Sequence, residues 1–383
     1  MRILYTNFHR APGIGGHSTY ILSLATALGP SHEITVAVPE GSGLFRRAQS
    51  LPGVQVVGMD FPSRLPGALR SAKALRAVIV DKNIQIIHVN GSSDHRVALM
   101  ACVGLGTSAP KIVFTKHNDQ PIKTVAAMLR VMAGTRHVIA VCDFVYRRVM
   151  QSPYKRLPVT TIPNGIDAAH YSEAALATHA ALTQQRDRWR RDWQASGPSA
   201  PAPRLILGSQ AGTDRYKGWM DLVQAVSRLS PDLRHRVCIA LAGAWPSAAQ
   251  KAEVEQLGMT DQVHFTGPLD DVRPFLGALD VGFVLSWRIE TISFACREMM
   301  SMGLPVMVSN HGGLPENIAP GEDGWIVPAQ DIDAIAACVT GMLNQQAAIS
   351  EMGRTAAHKA ARSFGLVPFV TSTEGVYREV IAN

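Results

Sequence analysis

Residues 281–316, VGFVLSWRIETISFACREMMSMGLPVMVSNHGGLPE, hold an apolar run, a helix-length amphipathic segment and a second apolar run in succession. The two runs, 281–285 and 306–309, have the length and composition of buried strands, whereas the segment between them has helical spacing. Strand, helix and strand in this order form the repeating unit of a parallel sheet covered by helices. The stretch therefore predicts a doubly wound α/β domain.

The same alternation continues along the rest of the chain in two series. Strands are predicted at residues 2–7, 33–39, 54–59, 84–90, 112–117, 138–142 and 159–162 in the first series, and at 205–208, 237–242, 263–266, 281–285, 306–309 and 325–327 in the second. Ligands of such sheets bind at the carboxyl ends of the strands. We therefore expect two doubly wound domains that face one another across a shared cleft.

The domain division follows from length and local composition. A chain of 383 residues is too long for one ordinary hydrophobic core. Residues 1–167 are predicted to form the first domain and 204–365 the second. Residues 168–203 are predicted to be a connector, with one helix at about 172–194 and a Pro-rich run at 197–203. The chain is predicted to end in a final helix within residues 366–383.

The composition favours a globular protein, since hydrophobic residues are 46% and charged residues 17% of the chain. Its five cysteines are odd in number and widely spaced, which predicts a reducing cytoplasm, with neither a disulfide framework nor a zinc site. The first residues lack the pattern of a signal peptide. The longest apolar runs are well short of the ~20 residues that span a bilayer.

The charge is unevenly distributed along the sequence. Residues 1–165 hold 19 Lys and Arg against 7 Asp and Glu, and residues 166–383 hold 18 against 23. This asymmetry predicts an anionic partner for the first domain, with a generically basic solvated face as the alternative. No nucleic-acid-binding motif accompanies the basic residues, so nucleic acid is not expected. An anionic membrane surface would contact Arg46, Arg47, Arg64, Arg70, Lys73 and Arg76.

Two glutamates in the opening stretch carry the clearest chemistry. Glu290 follows a predicted strand and Glu298 lies in the predicted helix after it, and the amides of Thr291, Ile292 and Ser293 are expected to open that helix. A carboxylate accepts two charge-assisted hydrogen bonds, which suits the paired hydroxyls of a ribose or a sugar. The arrangement predicts a nucleotide-sugar site.

A loop in the second domain offers cations for a diphosphate. Arg215 and Lys217 directly precede a predicted helix that begins near Trp219. The helix dipole, its free amides and the two cations all favour an anion. A solvated loop is the alternative reading.

The first domain contributes weaker signals. Gly15 and Gly16 lie between the opening strand and a helix, where either a tight turn or a ligand-binding loop is expected. His117 ends a predicted strand, so its imidazole is expected to point into the cleft. His88 lies within an apolar run and is predicted to be a buried core histidine with its hydrogen bonds satisfied.

These motifs together resemble the retaining GT-B glycosyltransferases of family four over nearly the whole chain. The resemblance rests on the two glutamates, on Gly-Leu-Pro-Val at 303–306 and Gly-Gly-Leu-Pro-Glu at 312–316, and on Asn-Gly-Ile-Asp at 164–167 and Phe-Thr-Gly at 265–267. It implies two Rossmann-like domains, with the final helix at 366–383 packing back on the first, a nucleoside-diphosphate sugar as donor, and a sugar or lipid-linked acceptor. The basic first domain adds the hypothesis of envelope polysaccharide or lipopolysaccharide synthesis, in the cytoplasm or at the inner face of the cytoplasmic membrane.

The resemblance assigns roles to individual residues. Glu298 would hold the ribose, Glu290 the donor sugar, and Lys217 with Arg215 the diphosphate. By resemblance the donor-binding residues are Gly15, Gly16, Arg215, Lys217, Gly267, Leu269, Glu290, Thr291, Ile292, Ser293 and Glu298, and the catalytic residues are His117, Lys217 and Glu290. Catalysis would use neither a protein nucleophile nor a metal or other cofactor, only positioning and electrostatic stabilisation of the leaving diphosphate.

Two departures from the family pattern bear on specificity. Gly212 stands where the family usually has an arginine, and we hypothesise that Arg215 substitutes for it. Thr-Ile-Ser at 291–293 replaces the usual Gly-Phe-Gly, which predicts a narrower donor-sugar pocket.

Two other functions stay open at this point. A nucleotide-sugar epimerase or hydrolase would need acids in the first domain, where Asp94, Asp119 and Asp143 are the candidates. A catalytically weak nucleotide-sugar-binding protein would fit the altered diphosphate-binding loop, where Gly212 stands in place of the usual arginine.

Overall fold

The structure is a computed structural model that describes residues 1–195 and 203–382. It divides into two compact units. The first comprises Met1–Gly165 with Leu366–Asn383, and the second is Ile166–Gly365. No helix among the described residues is long and apolar enough to cross a membrane.

Each unit is built on one parallel sheet. The strands are β1 (Arg2–Thr6), β2 (Glu33–Val38), β3 (Val54–Gly58), β4 (Ile86–Val89), β5 (Lys111–Lys116), β6 (Thr135–Ala140), β7 (Val159–Thr161), β8 (Leu205–Ser209), β9 (Val237–Ala242), β10 (Val263–Gly267), β11 (Val281–Val284), β12 (Val306–Ser309) and β13 (Gly324–Val327). The first sheet has the order β3-β2-β1-β4-β5-β6-β7 and the second the order β10-β9-β8-β11-β12-β13. Two Rossmann-like doubly wound sheets were predicted, and the structure confirms this fold class.

Helices connect the strands and follow the last of them. They are α1 (Gly16–Leu28), α2 (Gly43–Gln49), α3 (Leu65–Asp81), α4 (Ser92–Cys102), α5 (Thr124–Ala133), α6 (Asp143–Met150), α7 (Glu173–Ala177), α8 (Ala180–Ala195), α9 (Trp219–Ser227), α10 (Pro231–Arg234), α11 (Ala248–Gln256), α12 (Arg273–Gly277), α13 (Phe294–Ser301), α14 (Ile332–Asn344), α15 (Gln346–Phe364) and α16 (Leu366–Ala382).

The core of the first unit includes the last helix of the chain. Phe369, Val376 and Tyr377 of α16 pack with β1 and α1 in one apolar cluster. His88 is fully buried there, with its ring nitrogens 2.5 Å from the Tyr377 hydroxyl and 2.6 Å from the Thr115 hydroxyl. The predicted buried and satisfied state of His88 is therefore confirmed.

The predicted single helix at 172–194 is wrong, because the segment contains two helices. Ser172 caps α7, which ends at Ala177, and α8 begins at Ala180. Trp193 of α8 is buried with its ring 5.9 Å from that of Phe275, so α8 packs against the second unit's core. The segment expected to be a connector thus belongs to the second unit up to residue 195, and most of the Pro-rich run at 197–203 lies outside the described residues.

Candidate functional site

The order of the second sheet locates a crevice at one edge. From β8 the chain proceeds through β9 and β10 on one side, and β11 then lies on the other side of β8. At such a reversal the loops that follow the two adjacent strands turn in opposite directions and leave a ligand-sized opening. The loop after β8 and the loop after β11 therefore flank the expected binding position.

A partly buried ion pair joins these two loops. Nζ of Lys217 donates to Oε2 of Glu290 at 3.0 Å, and the Ser286 hydroxyl donates to the same oxygen at 3.2 Å. The Lys217 side chain is 17% exposed and that of Glu290 is 10% exposed. The amide of Trp287 also donates to the Tyr216 carbonyl at 3.0 Å, which fixes one loop against the other. Both charged groups thus keep a small exposed fraction.

Glu298 lies next to a separate set of neutral donors. Nε2 of Gln210 donates to its Oε2 at 2.6 Å, and the Tyr171 hydroxyl forms a second hydrogen bond with this carboxyl. Burial raises the pKa of Glu298, and the two hydrogen bonds oppose that rise only in part. The carboxylate is held in a fixed orientation, suitable for accepting the hydroxyls of a ligand.

Glycines let the backbone of this region pack closely. A Cβ at Gly312 would lie 2.1 Å from the Glu290 carbonyl oxygen, and Gly312 has a φ of +62°. A Cβ at Gly218 would lie 2.1 Å from the Leu285 carbonyl oxygen, with a φ of +75°. Only glycine fits such contacts in left-handed backbone. These residues therefore set the position of the loop that carries Glu290.

The expected amides do not open the helix after Glu290. Ser293 is the N-cap, and its hydroxyl accepts from the amide of Cys296 at 3.3 Å. The helix begins at Phe294, so Thr291 and Ile292 precede it rather than form its first turn. Both side chains are nevertheless buried, at 9% and 5% exposure, beside Glu290.

The last residue of β10, where the next loop begins, packs against an exposed aromatic ring. A Cβ at Gly267 would meet ring atoms of Trp245 at 2.6 to 2.9 Å, and the Trp245 side chain is 60% exposed. Leu269 packs against the core beneath this loop. A large exposed ring at the carboxyl edge of a sheet is a surface on which a planar base can stack.

Arg215 is not directed at the Lys217–Glu290 pair in this structure. Its guanidinium forms two hydrogen bonds with the Glu253 carboxylate, at 2.6 and 3.1 Å, and its side chain is 59% exposed. An exposed pair of this kind contributes only about 0–1 kcal/mol.

In the first unit, polar residues gather where β1, β4 and β5 end. Nε2 of His117 donates to Oδ1 of Asn90 at 2.8 Å, and the His117 ring lies 4.2 Å from that of His17. His9 contacts His17 at 4.8 Å. Burial lowers the pKa of His117 and lowers that of His17 to about 4, so both imidazoles are neutral at neutral pH.

Gly15 and Gly16, the glycines predicted to bind the donor, are exposed. Gly15 is the N-cap of α1 and Gly16 its first residue, and no side chain caps this helix. Nothing lies within 4 Å of a Cβ built at Gly15. The amides at the start of α1 are thus accessible to an anion, as at other helix amino termini.

Asp94, an acid candidate for the epimerase alternative, has a structural role here. Its Oδ2 accepts from the Thr6 hydroxyl at 2.9 Å and from the amides of Asn90 and Gly91 at 2.8 and 3.2 Å. It is fully buried, and burial raises its pKa to about 6. The group therefore holds the end of β4 against α4.

Sequence reasoning missed several side chains of these sites. Gln210, Tyr171 and Ser286 bind the two glutamates, Trp245 covers Gly267, and Asn90 holds His117. Asn90 and Gln210 share a signal that could have revealed them, since each directly follows a central strand. Tyr171 carries no such signal because it lies outside the strand–helix alternation.

Comparison with known proteins identifies the family. Residues 14–170 match the family model described as Glycosyltransferase Family 4, and residues 203–345 match Glycosyl transferases group 1. The two ranges together cover more than three quarters of the chain.

Two curated relatives illustrate the sequence similarity. The chain is 30% identical over 172 residues to D-inositol 3-phosphate glycosyltransferase 2 of Catenulispora acidiphila, covering 42% of this chain and 40% of that protein. It is 23% identical over 364 residues to the GDP-mannose-dependent alpha-(1-6)-phosphatidylinositol monomannoside mannosyltransferase of Mycobacterium tuberculosis, covering 89% of each.

Two solved structures show the same fold. A glycosyltransferase from Rickettsia africae superposes with a TM-score of 0.84 at 19% identity, covering 100% of this chain and 99% of that chain. Anabaena Alr3699/HepE in complex with UDP superposes with a TM-score of 0.80 at 16% identity, covering 99% of this chain and 100% of that chain.

The structure has two doubly wound sheets, and Lys217, Glu290 and Glu298 lie near the switch point of the second sheet, where its strand order reverses. This fold and site place the protein in the GT-B class of sugar transferases. The matched family models make the assignment specific. The chain belongs to the glycosyltransferases of family four, the group 1 glycosyl transferases.

Proposed function

We propose that the protein is a retaining glycosyltransferase that moves a sugar from a nucleoside-diphosphate sugar to a lipid-linked or envelope-polysaccharide acceptor, lipopolysaccharide intermediates included. The observation that carries the proposal is the Lys217–Glu290 pair, set at the switch point of the second sheet. One member suits a diphosphate and the other suits sugar hydroxyls.

The proposed mechanism is an exchange of partners at this pair. When the donor binds, Lys217 turns from Glu290 to the diphosphate, and Glu290 accepts hydroxyls of the donor sugar instead. The cation then stabilises the negative charge that develops on the leaving diphosphate. The acceptor hydroxyl attacks C1 of the donor sugar from the face that the diphosphate leaves. The C1–O bond to the diphosphate breaks, and the hydroxyl proton passes to the departing diphosphate. This proposal includes no protein nucleophile and no metal.

The other residues have positioning roles in this proposal. Glu298, held by Gln210 and Tyr171, accepts the ribose hydroxyls, and the base lies over Trp245 beside Gly267 and Leu269. The buried Thr291 and Ile292 limit the space for the donor sugar. The donor contacts that the family resemblance implies for His117, Gly15 and Gly16 stay predictions.

The acceptor class is proposed from the relatives. The mycobacterial relative is named as a mannosyltransferase acting on a phosphatidylinositol monomannoside, which is a membrane lipid. The strongly basic composition of residues 1–165 is compatible with an enzyme that works at an anionic membrane from the cytoplasmic side.

A panel of UDP- and GDP-sugars, offered with membrane-lipid extracts as acceptor and with EDTA present, tests the function. We expect acceptor-dependent release of nucleoside diphosphate and an α-linked product from an α-linked donor. Acceptor-independent release would indicate a hydrolase, an epimerised donor would indicate an epimerase, and binding without turnover would indicate a binding protein. An inverted product would contradict the retaining mechanism.

Replacing Glu298 by glutamine should weaken donor binding and change its pH dependence. Charge-assisted hydrogen bonds contribute about 1.5–3 kcal/mol, so we expect the donor KM to rise about 10- to 100-fold. In the wild type, burial raises the Glu298 pKa, so protonation should increase the KM at a higher pH than an ordinary glutamate would. The variant lacks this carboxyl group, so the increase of its donor KM at acidic pH should disappear. Glu255→Gln, at an exposed position on α11, is the control.

Arg215 is proposed to leave Glu253 and bind the donor diphosphate, because its exposed ion pair is weak. Arg215→Ala should then raise the donor KM about tenfold, since a charged contact of ordinary strength is lost. Glu253→Gln removes the competing carboxylate and should leave the KM unchanged or lower it. Unchanged donor affinity and turnover in Arg215→Ala would show that Arg215 does not replace the missing arginine.

A further inference from the structure

A cationic cavity lies within the first unit, and neither His117 nor Asn90 lines it. It has a volume of about 400 Å³ and is bounded by the start of α4, the segment after β5, and α5. Four cationic side chains line it, Arg96, Lys116, Lys123 and Arg130, and its lining among the described residues includes no carboxylate. The composition of the lining favours an anion.

Neutral groups hold three of these cations in place. Lys116, 8% exposed, donates to the Gln120 carbonyl at 3.0 Å and to Oδ1 of Asn118. Nη2 of Arg130 donates to the Ser92 carbonyl at 3.1 Å, and Nη2 of Arg96 donates to the Pro62 carbonyl at 3.2 Å. The positive charges are therefore positioned without being neutralised by the groups that position them.

Two further features favour an anion in the cavity. Nε of Arg96 is buried without a hydrogen-bond partner. Ser92 and Ser93, the first two residues of the 11-residue α4, also line the cavity, and amides at this position have no acceptor within the helix. Burial lowers the pKa of Lys116 to about 8, so it stays largely cationic at neutral pH.

Acidic groups near the cavity are few. Asp119 interacts electrostatically with Lys116 but does not line the cavity. Asp94, in the first turn of α4, directs Oδ2 to Thr6, Asn90 and Gly91.

The outer face of α5 is apolar and exposed. Val125, Leu129 and Met132 are 74%, 61% and 77% exposed, and their spacing of four and three residues places them on one stripe of the helix. Ala127, on the opposite side, is fully buried. Arg156 contacts Met128 beside the stripe, with Nη1 3.2 Å from the sulfur. Apolar side chains flanked by basic ones are typical of helices that lie in a membrane interface.

We propose that the cavity binds the phosphate of an anionic phospholipid headgroup while the exposed stripe of α5 lies in the bilayer interface. The proposal deepens the proposed function, since it assumes a membrane-linked acceptor. It places the principal membrane contact at α5 and the cavity. The sequence instead suggested basic residues in α2, in α3 and at Arg64, which directly precedes α3.

Sedimentation of the full-length protein with vesicles tests the docking surface. The protein should bind phosphatidylglycerol vesicles at low salt and bind phosphatidylcholine vesicles at least tenfold more weakly. Leu129→Glu should reduce phosphatidylglycerol binding by more than about tenfold, because it places a charge on the apolar stripe. Lys123→Gln should reduce it by about fivefold, the effect of one basic residue near an anionic surface.

Leu69→Glu on α3 is the matched control, since Leu69 is 54% exposed and lies among basic residues of the same unit. It should keep wild-type binding. Loss of binding in Leu69→Glu with retention in Leu129→Glu would overturn the proposal, as would equal binding to both kinds of vesicle. Circular dichroism and thermal melting confirm that each variant is folded.

Glycerol 1-phosphate distinguishes the lipid from a soluble phosphate. Millimolar glycerol 1-phosphate should raise the melting temperature of the wild type and of Leu129→Glu, but not that of Arg96→Gln. Stabilisation by glycerol 1-phosphate without any vesicle binding would assign the cavity to a soluble ligand and overturn the membrane proposal. No donor is present in these measurements, so their failure is distinct from a failure of sugar transfer.

Discussion

Lys217→Ala should lower kcat/KM for the nucleotide-sugar donor by about 100- to 1,000-fold, the usual effect of removing one group that stabilises transition-state charge. In the crevice, Nζ of Lys217 lies 3.0 Å from the Glu290 carboxylate. A diphosphate bound there would lose its principal counter-charge. Steady-state kinetics with the donor identified by the panel measure the effect.

A second variant separates this catalytic effect from damage to the fold. Lys217→Ala leaves the buried Glu290 carboxylate without its cation, which by itself destabilises a protein. Lys217→Ala combined with Glu290→Gln removes the uncompensated charge, so the double variant should regain stability in thermal melts but not activity. Lys251→Ala, at an exposed position of α11, is the control. Unchanged kcat/KM in Lys217→Ala would refute the proposed binding of the diphosphate by Lys217.

Gly312→Ala should destabilise the second unit by about 3–5 kcal/mol, a large effect for one methyl group. Left-handed backbone costs a residue with a Cβ about 1–2 kcal/mol. In addition, the new Cβ would lie 2.1 Å from the Glu290 carbonyl oxygen, so the loop must shift. Because that loop carries Glu290, donor turnover should fall as well. Denaturant unfolding and donor kinetics measure the two effects.

Gly303→Ala isolates the contribution of the backbone conformation. Gly303 has a φ of +80°, but nothing lies within 4 Å of its Cβ position. Its substitution should cost only about 1–2 kcal/mol and leave the donor kinetics near wild type. Equal destabilisation by the two substitutions would show that the close contact between Gly312 and Glu290 has no consequence.

The fold was largely predictable because its signals are local. Each strand is a short apolar run between turn residues, and β9, for example, is buried at every position from Val237 to Ala242. Burial on both faces of a parallel sheet requires such runs, so the strands can be located from composition alone. The break between α7 and α8 was missed because Thr178 and His179 are not helix-breaking residues.

The candidate site was predictable only in part. Glu290, Glu298 and Lys217 could be found because each lies at a fixed offset from a strand end or a helix start. Their partners could not, since Gln210 reaches Glu298 across 88 positions of the sequence. Likewise, nothing in the local pattern around Arg215 indicates that Glu253 binds it.

The sequence by itself determined that this protein has two doubly wound domains, and it placed the candidate site of the second where its strands end, because periodicity and turn residues act over a few positions. The tertiary structure alone decided which side chains meet there. It paired Lys217 with Glu290 and Arg215 with Glu253, started α13 at Phe294 rather than at Thr291, and left one face of α5 apolar and exposed. Such pairings depend on how distant segments pack, and hydrogen bonds and charges act over a few ångströms of space irrespective of separation along the chain.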